Sequence, residues 1–247
     1  MLMRLLSSGL LAGLITGICV TVIEQRTTVP LIIEAERFES GASPAAGHHH
    51  HSNRQILQPL VVLVHDEDAH PPVAAPTERA FPFGLTRVGY TAIATIGTAT
   101  GFALMLLAVM VASGAAITPQ TATLWGACGF IATGLAPALG LAPALPGSAE
   151  IDLHARQVWW IATAATTACA LWGLWRWQTP AAVIGALALV AIPHLIGAPH
   201  APAYSSPVPA ELAAQFAASS LAVQAILWGL LGALSGLFWL RFEGAQS

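Results

Sequence analysis

The residues in this chain with an evident chemistry are its nine His and twelve acids, and they are unevenly spaced. His48, His49, His50 and His51 are adjacent, and His65-Asp66-Glu67-Asp68-Ala69-His70 follows shortly after. Imidazole and carboxylate groups ligate divalent first-row metals, and a flexible segment lets them converge. Four adjacent His cannot by themselves define a rigid site, but they raise the local metal concentration. The plain alternative is a solvated polar loop that holds no ion.

Two shorter constellations stand near apolar runs. In Pro193-His194-Leu195-Ile196-Gly197-Ala198-Pro199-His200, His194 is the one ionisable residue well inside the second to sixth apolar runs. Such residues are expensive in hydrocarbon and often mark a pathway. On an unbroken helix His194 and His200 lie about 240° apart. They converge if Pro193, Gly197 and Pro199 bend the chain; otherwise one is a packing His and the other a loop His. Asp152 and His154 share a face in an extended segment, with Arg156 as a partner for Asp152; the alternative is an interfacial anchor backed by Trp159 and Trp160. Glu211, Gln215 and Ser219 recur every four residues, either lining a polar path or hydrogen-bonding between helices. Glu34, Glu36 and Glu39 could form an acidic helix face or a merely solvated one. The expected metal entry site combines His154, His194, His200 and Glu211, with Asp152 beside them.

Composition says what must position these groups. Of 247 residues 55% are hydrophobic and 9% charged, with a mean hydropathy of +0.69. Soluble domains carry about 25% charged residues, so the chain is read as a bilayer protein. All nine basic residues are Arg. Without Lys there is no Walker A loop and no Lys Schiff base. The net charge of −3 implies no partner, and the absence of a basic patch argues against nucleic acid. Cys19, Cys128 and Cys169 form no CxxC pair and are read as small buried hydrophobes. No HExxH or GxSxG motif supports an enzyme.

Six apolar runs cover residues 5–23, 88–112, 121–141, 158–175, 180–197 and 213–240. The expected fold is an all-α, polytopic membrane helix bundle of about six transmembrane helices. The domain reading is a first transmembrane helix over 1–23, an extramembrane His/acid-rich loop over 24–85, the remaining spans over 86–241, and a short tail over 242–247. The third run is interrupted by Gly134 and Pro137, and the fifth, which holds Pro193, is the shortest. Gly9, Gly13 and Gly17 form a small-residue face for close helix contact, as Gly97/Gly101 and Gly232/Gly236 could also do. Trp159, Trp160, Trp175 and Trp177 suit an interfacial belt. An even number of spans puts both termini on one side. Arg4, Arg176 and Arg241 then favour a cytoplasmic N terminus, with the His-rich loop outside.

The chain resembles the CbtA family of predicted cobalt transporter subunits. The resemblance rests on the early Gly-rich span, Val29-Pro30-Leu31-Ile32-Ile33-Glu34-Ala35-Glu36 and the His-rich loop. It continues in Gly134-Leu135-Ala136-Pro137, Leu145-Pro146-Gly147, Arg156-Gln157-Val158-Trp159-Trp160, the Pro193 to His200 motif and Val208-Pro209-Ala210-Glu211-Leu212. It implies cobalt uptake linked to cobalamin synthesis in a bacterial inner membrane. It also implies a small one-span, His-containing partner of the CbtB type, and a bundle of five spans where the apolar runs number six. The choice of cobalt over nickel or zinc comes from the resemblance alone. The reading is a divalent-cation permease subunit in contact with membrane lipids, without a permanently bound cofactor, and open to homo-oligomerisation. Its rivals are a membrane-embedded metalloenzyme or metal-insertion factor, and a metal sensor or assembly protein that does not transport.

Overall fold

The computed structural model describes residues 1–41, 86–149, 151–201 and 206–244. The secondary structure of these residues is helical throughout. The helices are α1 (Leu2–Arg26), α2 (Thr28–Gly41), α3 (Arg87–Ala112), α4 (Pro119–Phe130), a π-helical turn (Ile131–Leu135), α5 (Ala136–Ala138), α6 (Leu153–Trp177), α7 (Pro180–Ile196) and α8 (Ala210–Gly244). By length and composition α1, α3, α6 and α8 can each cross a membrane. Residues 119–138 form one continuous helical rod ~30 Å long, about the thickness of the hydrocarbon core. Helix α7, with 17 residues, is the shortest apolar rod, at ~26 Å.

The helix starts follow local chemistry. Thr86, Thr118, Asp152 and Thr179 are N-caps whose side chains accept the hydrogen bond of a first-turn N–H. Pro119 and Pro180 occupy first helical positions, where a missing N–H costs nothing. The turns close with three residues at positive φ, Gly114 (φ +69°), Gln178 (φ 45°) and Gly197 (φ +91°), of which Gln178 is a left-handed cap. Residues 24–41, assigned to the extramembrane loop from sequence, are helical: α1 runs on to Arg26, and α2 follows one residue later. The acidic segment Glu34-Ala35-Glu36 lies on α2, a helix as both of its sequence readings assumed. The rest of the loop, with His48, His49, His50, His51, His65 and His70, lies outside the described residues.

Glycine rows decide which rods touch. A Cβ on Gly9 would stand 2.5 Å from Leu104 Cδ2, one on Gly17 2.5 Å from Ile96 Cα, and one on Gly13 against the Thr100 backbone. The backbones of α1 and α3 are thus in direct, antiparallel contact. Gly232 and Gly236 do the same for α8, against Ala122, Thr123, Thr118 and Pro119 of α4 and its cap. Gly97 and Gly101 differ from the sequence expectation, because no atom lies within 4 Å of where their Cβ atoms would stand. Their spacing is right for close contact, but they sit on the outward side of α3. Cys19 and Cys169 are also exposed rather than buried.

The core lies where α1, α3 and α8 meet, with Ala12, Val20, Ala99, Ala103, Val223, Leu227, Trp228 and Leu231 in one cluster. Phe102 stacks on Trp228 at 5.1 Å. Arg4 of α1 donates to Trp239 O at 2.8 Å and to Glu243 Oε2 at 2.7 Å on α8, so both termini share one end. The opposite end is closed by α2: Ala35 packs with Leu145 and Val208 from two connections, backed by Ile32, Leu212 and Phe216.

Overpacking a direct backbone contact typically costs about 1–3 kcal/mol. Gly13→Val is therefore expected to lower the melting temperature of the detergent-solubilised protein. Gly97→Ala, in open space and favoured by helix propensity, leaves it unchanged or raises it.

Candidate functional site

Three segments that are distant in sequence meet near the α2 end: the π turn with Ala136 and Pro137, the start of α6, and the end of α7. Pro137 lacks an N–H, so the carbonyl four residues earlier, Thr133 O, loses its usual donor. Trp160 of α6 supplies a replacement, with Nε1 donating to Thr133 O at 3.2 Å. The neighbouring Trp159 donates from Nε1 to Pro193 O on α7, also at 3.2 Å. Its ring leaves no room for a Cβ at Gly140. From α8, Trp228 Nε1 donates to Thr133 Oγ1 at 3.1 Å. Indole N–H groups thus carry much of the hydrogen bonding around a helix that proline and a π turn have broken.

His194 is part of this junction. Its Nδ1 lies 2.9 Å from Val190 O and its Nε2 lies 3.1 Å from Ala136 O. The ring meets Trp159 edge to face at 5.7 Å. Both nitrogens therefore face backbone carbonyls, and the imidazole links α7 to α5. His200 stands beyond Gly197, exposed and off the helix, while the His194 nitrogens face carbonyls and not a second imidazole. His154 is exposed on the first turn of α6, and Glu211 is exposed on the first turn of α8. Asp152 is the N-cap of α6, with Oδ1 accepting from Ala155 N at 2.7 Å. His154, His194, His200, Asp152 and Glu211 thus all lie toward the α2 end. Among the described residues, however, no three His, Cys, Asp or Glu side chains gather closely enough to hold a metal ion.

The charges have a clear layout. Among the described residues Arg4, Arg176, Arg241 and Glu243 stand at the terminal end. Glu24, Glu34, Glu36, Asp152 and Glu211 stand toward the α2 end, with Arg26, Arg37, Arg87 and Arg156. At the α2 end Arg87 forks onto both carboxylate oxygens of Glu36 and ties α2 to α3. The Trp reading divides in two. Trp175 and Trp177 are exposed near the terminal end, with Trp125 and Trp172 packed against Trp175. Trp159 is buried and turned inward. Sequence reasoning missed Glu24, which is half-buried within α1 and accepts from Thr95 Oγ1 at 2.9 Å. The signal available was an acid at the edge of a glycine-bearing span.

Two outcomes follow. Trp159→Phe keeps the ring but removes the indole bond to Pro193 O, which still accepts from Gly197 N, and is expected to cost about 0.5–1.5 kcal/mol in thermal denaturation. The Arg87 hydrogen bonds hold the Glu36 carboxyl below its ordinary range, against a smaller opposing effect of burial. A folded value lower than the unfolded one stabilises at neutral pH, and this is lost as pH falls through the folded value. The Arg87 and Glu36 side chains are 45% and 40% exposed, so screening limits the effect to below about 1 kcal/mol. Hydrogen exchange of the α2 amides, corrected for intrinsic rates, is expected to lose protection across that acidic window; in Glu36→Gln the loss is already present at neutral pH.

No curated protein and no solved structure matches the chain. One family profile, described as "Probable cobalt transporter subunit (CbtA)", matches residues 2–240, nearly the whole length. With that match and its bundle of membrane-length helices, the chain belongs to the CbtA family of probable cobalt transporter subunits.

Proposed function

We propose that this chain is the membrane-embedded subunit of a divalent-cation uptake system, with cobalt as the cargo and cobalamin synthesis as its consumer. The observation that carries the reading is the one-ended distribution of ligand chemistry. Among the described residues every His and every acid except Glu243 lies toward the α2 end. In this reading that end faces outward from a bacterial inner membrane. The terminal end faces the cytoplasm: over the short connections Arg4, Arg176 and Arg241 outnumber Arg156, while the long first connection, which also carries Arg, follows the positive-inside rule poorly. The loop His48, His49, His50, His51, His65 and His70 collect the ion. His154, His200 and Glu211, exposed at the same end, receive it. His194, with both nitrogens against carbonyls, shapes the mouth until it rotates. A small one-span, His-containing subunit of the CbtB type completes the system, and the bundle can also self-associate.

The chain is read as a conduit and not as an enzyme. The sequence has no Walker A loop, so nucleotide energy would have to come from another protein. The membrane potential alone offers about 2.3 kcal/mol per charge per 100 mV. For a divalent ion that is about 4.6 kcal/mol at 100 mV, on the order of a thousandfold accumulation.

The test is radiolabelled cobalt uptake by cells expressing the chain with and without the one-span subunit. Uptake that depends on this chain supports the reading; no uptake with either combination refutes it. Replacing His48, His49, His50 and His51 by Ser is expected to lower uptake at scarce cobalt and to spare saturated uptake.

A further inference from the structure

Glu24 is a half-buried carboxylate within a membrane-length helix, and the junction around His194 makes no use of it. Its height in the bundle can be read from neighbouring contacts. Ile96 stands against Gly17, so Thr95, the preceding residue of α3, lies near the level of Gly17. Glu24 lies about two turns farther along α1, ~10 Å, yet its carboxylate reaches the Thr95 hydroxyl at 2.9 Å. The side chain therefore turns back toward the bundle interior. Side chains on a helix lean toward its N terminus, so this direction is available without strain. It is the reverse of the snorkelling that takes a charged group out to water.

The environment leaves this charge uncompensated. Among the described residues Glu24 forms no ion pair, and Thr95 is its one side-chain donor. A carboxylate can accept about four hydrogen bonds or coordinate a cation. A second observation lies deeper in the bundle, on α1 and α8. Ser8 and Thr16 of α1 and Ser235 of α8 are fully buried, with hydroxyls that have no hydrogen-bond partner among the described residues. Thr21, Thr133 and Thr163, by contrast, donate to the carbonyl four residues earlier. Ser8 is one turn beyond Arg4, and Ser235 is one turn before Trp239, the pair that joins α1 to α8. The enclosed hydroxyls thus run from near the level of Thr95 toward the terminal end.

We propose that the Glu24 carboxylate and the Thr95 hydroxyl form an intramembrane cation site that receives a partly hydrated divalent ion between the α2 end and the buried hydroxyls of α1 and α8. The carboxylate supplies the charge, Thr95 orients it, and water fills the remaining coordination positions. Oxygen ligands with retained water suit an ion that must bind and then leave. The assignment rests on the uptake reading and adds a ligand for the ion inside the bundle, beyond the groups that receive it at the α2 end.

Two measurements separate this site from that reading. In the purified full-length protein, dicyclohexylcarbodiimide labels carboxyls in apolar surroundings, and mass spectrometry reports the adduct on Glu24. Added Co2+ is expected to protect Glu24 from labelling, and Thr95→Val to weaken the protection severalfold. In cells, Glu24→Gln, which keeps the side-chain shape and can still accept from Thr95, is expected to lower cobalt uptake at least about tenfold at unchanged expression and melting temperature. Glu24→Asp is expected to retain part of the uptake. Labelling indifferent to Co2+, or wild-type uptake by Glu24→Gln, overturns the site. Protection by Co2+ in a protein that supports no uptake upholds the site and refutes the uptake reading.

Discussion

Close backbone contact between small residues is the constraint on which this bundle depends. In a bilayer the apolar surfaces of helices gain little by leaving lipid, because lipid tails are as apolar as leucine. Association then comes from van der Waals packing and hydrogen bonds, and both need short distances. The row Gly9, Gly13, Gly17 brings α1 onto α3, and Gly232 with Gly236 brings α8 onto α4. Once these pairs are fixed, α1 and α8 meet across the core of Val20, Trp228 and Leu231, and Arg4 can reach Trp239 and Glu243. The shared end of the two termini is thus a consequence of glycine placement.

The second constraint is that backbone polar groups cannot be left bare in hydrocarbon. The rod over residues 119–138 breaks its own hydrogen-bond ladder with a π turn and Pro137. The break is tolerated because Trp160 donates to Thr133 O. Beside Pro193 in α7, Trp159 and His194 join α6, α7 and α5, the first through Pro193 O and the second through Ala136 O. Two tryptophans that composition assigns to a membrane interface therefore bond to helix backbone, Trp160 at the break itself and Trp159 on α7. A π turn inside a helix often marks a functional place, and this one lies toward the end that carries the ligand chemistry.

Much of the architecture was legible in the sequence because bilayer solvation imposes a strong pattern. Apolar runs and their Pro, Gly and Ser separators located every helix from α3 to α8 within a few residues, and Gly134 and Pro137 marked the break. Less was legible wherever a side chain had a choice of partner. Spacing is the same for Gly9/Gly13 as for Gly97/Gly101, yet only the first pair has a helix against it. Trp159 and Trp160 are adjacent, and nothing in their order says that one turns inward. Glu24 looked like a flank of the first run because its reach to Thr95 depends on a residue 71 positions away. The metal-site candidates illustrate the same limit. His154, His194, His200, Asp152 and Glu211 were read by residue type, and tertiary structure spends Asp152 on a cap and turns His194 to carbonyls.

These constraints give a tight helical frame whose ligands gather toward one end and whose interior is sparsely polar. The central claim is that such a frame conducts a divalent cation from that end to the other. The most direct measurement places the purified chain, with and without its one-span partner, in vesicles enclosing a cobalt-quenched fluorophore under an imposed inside-negative potential. The account predicts quenching that requires this chain and slows when the potential is collapsed. Fluorescence that stays constant in every combination, with the protein folded and inserted, would contradict it.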